Sequence, residues 1–220
     1  AGNGVQAVYL QPENYQRNLG RGYKDLVDQL TGKPLDKATY ERLVKEEPTH
    51  PVYLYHAQED MVVAGCARPD PLIGSDAFPY FNRKTGKLVT DWDTPYNEAV
   101  GHPRGAGTRA RILRWQREGK LGDLTLMQAL SKMSFMWADY LAKNGVEQMT
   151  KKGRMQEGCD ADIVVFDAKT VTDNSDLPLD KNTLPSTGIP YVIVSGVVVV
   201  ENSKVLKVFP GKPVRAEIIE

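Results

Sequence analysis

Pro71 to Tyr80, PLIGSDAFPY, is the stretch on which the fold turns. A short apolar run, Leu72-Ile73-Gly74, stops at Ser75-Asp76, and Phe78, Pro79 and Tyr80 follow. An apolar run cut off by turn residues reads as the end of a buried strand. A carboxylate at such an end has two readings. It is a turn residue that meets water, or it is a group set to touch a metal or a substrate. The residues alone leave both open.

Downstream, from Pro79 to Gly107, the chain is rich in turn residues: NRKTGK, DWDTPYNE and GHPRGAG. So long an irregular segment in a compact domain is more often functional than idle. TRARILRWQREGK (Thr108 to Lys120) reads as a basic amphipathic helix with its arginines on a solvated face. TLMQALSKMSFMWADYLA (Thr125 to Ala142) reads as one helix. Thr125 and Gln128 form a capping box, and Leu126, Leu130, Met133, Trp137 and Leu141 make a core-facing stripe. Asn144-Gly145 supplies its stop.

Upstream, YKDLVDQL (Tyr23 to Leu30) places Tyr23, Leu26, Val27 and Leu30 at helical spacing, and KATYERLVKE (Lys37 to Glu46) is a second helical piece. PVYLYHA (Pro51 to Ala57) is a strand candidate, followed by a helical or loop segment, QEDMVVAGCARPD. After Lys151 the texture changes. ADIVVFD, YVIVSGVVVVEN and KVLKVF are β-branched strands, with turns at Ser195-Gly196 and Glu201-Asn202-Ser203. A boundary near residue 155 follows, mixed α/β before it and all-β after it.

The 220 residues are 41% hydrophobic, which is ordinary for a globular chain, and 28 Lys and Arg balance 28 Asp and Glu. That neutral balance favours neither nucleic acid nor an anionic membrane as partner. No apolar run approaches the roughly 18 residues that span a bilayer. The first residues, AGNGVQAVYL, lack the order of a signal peptide, so the compartment stays open between cytoplasm and export after signal removal. Cys66 and Cys159 have no metal or disulfide spacing, and three histidines, His50, His56 and His102, are too scattered for a complete site. Of these, His56 at the end of its strand candidate is the one metal-ligand possibility, and His102 reads as a packing residue.

Five segments in series resemble the D-aminoacylase, or N-acyl-D-amino-acid deacylase, branch of the amidohydrolase superfamily. They are LIGSDAFP, GHPRGAGTRARIL, LTLMQALSKMSFMWADYLA, GRMQEGCDADIVVFDAKTVTDN, and STGIPYVIVSGVVVVENSKV with PGKPVR. The resemblance covers about residues 65 to 215. It implies an α/β chain: the C-terminal part of a (β/α)8 barrel with inserted loops over 1–155, and a small β-sandwich over 156–220. In such barrels chemistry sits at the C-terminal ends of the strands.

The resemblance implies a zinc-dependent hydrolase of non-peptide amide bonds acting on N-acyl-D-amino acids. Asp76, at the end of the eighth strand, becomes the proton-transferring carboxylate and a zinc ligand. Arg104 of the His-Pro-Arg segment becomes the clamp for the substrate α-carboxylate, and Ser75 a substrate-binding neighbour. The family's His-x-His pair and its middle-strand His and Cys ligands are absent from this sequence. The other Zn²⁺ ligands are therefore expected from an N-terminal part of the enzyme or a complementary chain. The residues from Ala77 to Pro103 between Asp76 and Arg104 are longer than the family's usual segment. A non-catalytic structural fragment, or hydrolysis of cyclic amides or dipeptides, are the alternative functions.

Overall fold

The computed structural model describes residues 2–7, 16–17, 20–55, 58–178 and 180–216. Two compact units, each discontinuous in sequence, emerge from it. The first comprises Ala1–Val63, Asp76–Ala106 and Asn174–Pro185, and the second Ala64–Ser75, Gly107–Asp173 and Ser186–Glu220.

In the first unit, β1 (Gly2–Gln6), β2 (Leu26–Asp28) and β3 (Pro51–Tyr55) form an antiparallel sheet in the order β1-β3-β2. Val5 stands opposite Val52, and Leu26 opposite Leu54. α1 (Lys37–Glu46) is the helix its spacing predicts; Asp36 caps it, accepting the Thr39 N–H at 2.7 Å. Tyr40 and Leu43 from α1 join Leu26, Leu35, Val52 and Leu54 in the core.

The helix expected over Tyr23–Leu30 is instead a 3-10 turn, Tyr23–Asp25, running into β2. The edge of β3 outbids the local pattern, because Leu26 and Val27 gain both a ladder and burial there. Asp28 then takes the N–H groups of Leu30 and Thr31 at 2.7 and 3.1 Å and ends the strand in a turn. Within 77–103, β4 (Phe81–Asn82) and β5 (Ala99–Val100) pair as a small ribbon, and the rest is irregular as expected.

The apparent strand end at 71–80 has no ladder in the structure. Its backbone is held otherwise, by helices. Ile73 N–H donates to Lys132 O at 3.1 Å. Ile73 O accepts from Arg109 Nη1 at 2.6 Å and Trp137 Nε1 at 2.8 Å. A strand exists only beside another, and no described segment forms a ladder with residues 72–76.

α2 (Glu59–Ala67) and α3 (Arg104–Arg117) are followed by α4 (Leu126–Met133) and α5 (Phe135–Lys143). α3 starts at Arg104 rather than at Thr108, so it takes in the His-Pro-Arg arginine. The Thr125–Gln128 capping box is present. The single helix expected there breaks at Ser134. The Ser134 hydroxyl donates to Leu130 O at 2.8 Å, the carbonyl its own N–H would take in a helix, and that N–H turns to Ser131 O. Leu126, Leu130 and Met133 pack on Ala110, Leu113 and Val171 as the stripe implies.

The arginines of α3 are not a solvated face. Arg111 and Arg114 bind Asp173, and Arg117 donates to Val171 O at 2.7 Å. Lys132 is buried, and its Nζ donates to Cys66 O at 2.6 Å and to Arg68 O, closing the carbonyl end of α2. Burial pushes its ammonium below the ordinary lysine value. Lys132→Met is expected to lower stability by roughly 2–3 kcal/mol by orphaning those carbonyls, read as a lower urea midpoint at unchanged m-value.

In the second unit, β6 (Ile163–Val165), β7 (Tyr191–Val194), β8 (Val197–Glu201) and β9 (Lys204–Val205) form an antiparallel sheet in sequence order. Ser195 (φ 49°) and Gly196 (φ 80°) make the first two-residue turn, and Asn202 (φ 49°) and Ser203 (φ 64°) the second. Both are primed turns, the kind that matches strand twist. Val164, Val165, Val197, Val198 and Val205 of this sheet are exposed. The change of texture near residue 155 falls inside this unit. No helix among the described residues is long and apolar enough to cross a membrane.

Candidate functional site

The first unit brings Asp76 and Arg104 together across 27 intervening residues, 77–103: Arg104 Nη2 lies 2.9 Å from Asp76 Oδ2. The guanidinium side chain is 16% exposed and the carboxylate 79%. Asp76 therefore offers its charge to solvent while Arg104 is rooted in protein. Asp76 sits at φ 50°, in the left-handed region that short polar side chains tolerate at a cost of about 1 kcal/mol. The guanidinium lies 6.0 Å from the centre of the Phe78 ring, itself exposed.

The backbone that carries Arg104 is pinned at three points. Tyr53 donates its hydroxyl to Gly101 O. Ser175 Oγ donates to Pro103 O at 2.8 Å. The Arg104 N–H donates to His102 Nδ1 at 3.1 Å, which leaves the hydrogen of the neutral ring on Nε2. The His102 ring stands edge-on to Tyr53, with centroids 5.4 Å apart and planes at 87°. His102 is thus a packing and loop-shaping residue. Tyr53 and Ser175 were not legible as site residues. A buried tyrosine in a strand signals that its hydroxyl needs a partner, but not which one.

The other candidates lie as follows. Ser75 is half-buried and precedes Asp76 directly. His50 stands between two carboxylates, Nε2 3.1 Å from Asp28 and Nδ1 3.1 Å from Glu47. His56 lies outside the described residues. Cys66 and Cys159 are free thiols, and burial pushes that of Cys66 up.

Among the described residues no three of His, Cys, Asp and Glu come together to hold a metal ion. A catalytic zinc takes about three protein ligands. The described residues do not by themselves fit a zinc ion. What the arrangement does offer is an exposed carboxylate able to accept a proton, beside an arginine fork whose geometry suits a second carboxylate.

No protein-family model matches the chain. It is 41% identical over 101 residues, 46% of its length, to N-acyl-D-glutamate deacylase of Alcaligenes xylosoxydans xylosoxydans, of which that match covers 19%. The structure resembles that of D-aminoacylase, which defines a novel subset of amidohydrolases, with a TM-score of 0.67 at 24% identity. That match covers 94% of this chain and 39% of the other. It also resembles N-acyl-D-glutamate deacylase of Bordetella bronchiseptica, solved with zinc and a phosphonate mimic of the reaction's tetrahedral intermediate. There the TM-score is 0.63 at 25% identity, over 96% of this chain and 38% of the other. Sequence and α/β fold agree: over part of their length this chain is similar to N-acyl-D-glutamate deacylase and shares the fold of D-aminoacylase.

Proposed function

We propose that this chain supplies the C-terminal portion of a zinc-dependent hydrolase of non-peptide amide bonds that deacylates N-acyl-D-amino acids. The observation that carries this is the Asp76–Arg104 pair, a solvent-facing carboxylate 2.9 Å from a rooted guanidinium. In this reading residues 1–155 belong to a (β/α)8 barrel and 156–220 to a β-sandwich. The exposed valines of β6 to β9 support a surface that the rest of the enzyme covers.

Asp76 takes a proton from the attacking water and returns it to the departing nitrogen. It is also one zinc ligand; the others belong to the remaining part of the enzyme or a complementary chain. Arg104 holds the substrate α-carboxylate. A guanidinium has five N–H donors in a fixed fork, capacity enough for a second carboxylate beside Asp76. Ser75 contributes to the substrate-binding wall.

Arg104→Ala in the complete enzyme tests the reading. The kcat/KM for an N-acyl-D-amino acid is expected to fall by about 10² or more, while the corresponding α-amide, slow at the outset, loses little. An equal rate on both substrates before and after the change would sink it. The exposed valines, which lie on both sides of the β6–β9 sheet, equally suit a non-catalytic interaction fragment. Elemental analysis of the complete protein separates the two, since only the hydrolase carries stoichiometric zinc.

A further inference from the structure

Gly101 and Gly105 flank the His102-Pro103-Arg104 segment, and neither has a left-handed φ. Their lack of a side chain is therefore not a matter of backbone conformation. The reason is Tyr80. A Cβ on Gly101 would overlap Cδ1 of the Tyr80 ring. A Cβ on Gly105 would overlap the Tyr80 hydroxyl oxygen, with Cζ next at 3.0 Å. The ring thus lies along the arginine segment and fills the room of two missing side chains.

Gly105 is the second residue of α3, where alanine is the better helix former. Glycine there costs helix stability and gains only the fit to Tyr80. The Tyr80 hydroxyl is buried and has no hydrogen-bond partner among the described residues. Burial alone pushes the phenol above its ordinary value. The fit to both glycines is steric, and it places the ring against the first turn of α3, the turn that carries Arg104.

We infer that Tyr80 is a positioning residue for Arg104, acting through Gly101 and Gly105 to fix the guanidinium as a carboxylate clamp. This rests on the proposed role of Arg104 as the substrate-carboxylate ligand. It adds a specificity-determining contact within the long segment between Asp76 and Arg104. It also explains why the segment can be long without freeing the arginine: Tyr80 re-docks the chain four residues after Asp76.

The test uses the ¹⁵N-arginine-labelled 220-residue chain, follows the Arg104 Nε–H signal, and titrates N-acetyl-D-glutamate against its α-amide. Gly105→Ala is expected to move the unliganded signal and to weaken binding of the acid by about tenfold or more, leaving the amide unchanged. Tyr80→Phe alone should bind within about twofold of the parent, because the lost hydroxyl had no partner. The double variant Gly105→Ala/Tyr80→Phe should recover both signal and affinity to within about threefold, because the overlapping oxygen is gone.

Two outcomes overturn the inference: Gly105→Ala that leaves signal and affinity as they were, or a folded double variant that recovers neither. Arg104→Ala separates the two proposals. If calorimetry finds the same affinity for the acid in the parent and Arg104→Ala chains, the clamp itself fails. The variant pattern of the unliganded Arg104 signal then still decides whether Tyr80 positions the segment.

Discussion

Asp173→Ala is expected to lower the unfolding free energy by about 3–5 kcal/mol, the loss typical of breaking a buried ion pair by removing one partner. The Asp173 side chain is 2% exposed. It takes Arg111 Nε on one oxygen at 2.6 Å and Arg114 Nε on the other at 2.7 Å. Without the carboxylate, two guanidinium groups keep their desolvation and lose their counter-charge. Their own partial exposure lets water reach them, which places the loss toward the lower end of that range. Urea unfolding followed by circular dichroism measures it; a change under about 1 kcal/mol would refute the account.

The same site gives a pH dependence. Burial pushes the Asp173 carboxyl up, but hydrogen bonds from Arg114 and Arg111 pull it down further, so it lies below the ordinary 3.8. A folded value below the unfolded one means that the unfolded chain takes up the proton first as pH falls. The stabilisation is fully present above the unfolded value and is lost as pH drops through the depressed folded one. Thermal midpoints measured from about pH 6 down to about pH 2 should therefore fall less steeply in Asp173→Ala than in the parent.

Asp76→Asn is expected to cost the complete enzyme about 10²–10⁴ in kcat, the usual worth of a positioned general base. The amide keeps the shape of the side chain but cannot accept the proton. The fold should not notice. Asparagine tolerates the left-handed backbone at this position, and the carboxylate is 79% exposed, so its pairing with Arg104 adds little to stability. An unchanged thermal midpoint with lost turnover is the signature of a chemical role. Retained turnover would assign Asp76 to the turn that its position in the sequence equally allows.

α1, the Thr125–Gln128 capping box and the two β hairpins match their local patterns, because caps, primed turns and amphipathic spacing are decided by residues a few positions apart. Tyr23–Leu30 misled, because its apolar spacing fits a helix and β3 offered it a ladder. The α3 arginines misled in the other direction. Charge balance suggested a solvated face, and the partner, Asp173, comes about 60 residues later. Ser134 broke a helix whose apolar stripe ran straight through it, through one hydroxyl competing for Leu130 O.

The candidate site divides in the same way. Asp76 and Arg104 were legible by residue type and motif, as a carboxylate and a guanidinium fork in a series of segments with a shared resemblance. Their pairing at 2.9 Å was not, because 27 irregular residues, 77–103, say nothing about where their ends meet. Nor was the clamp around Arg104, drawn from Tyr53, Tyr80 and Ser175. By itself the sequence determined the branch of enzymes this chain resembles, its local helices and hairpins, and the two charged residues most worth testing. Tertiary structure alone decided that Ile73 is held by helices rather than a ladder, and that a Cβ on Gly105 would meet Tyr80. The physical reason is range. Hydrogen-bond caps and turn dihedrals act between neighbours in the chain, whereas burial, excluded volume and ion pairing act between neighbours in space.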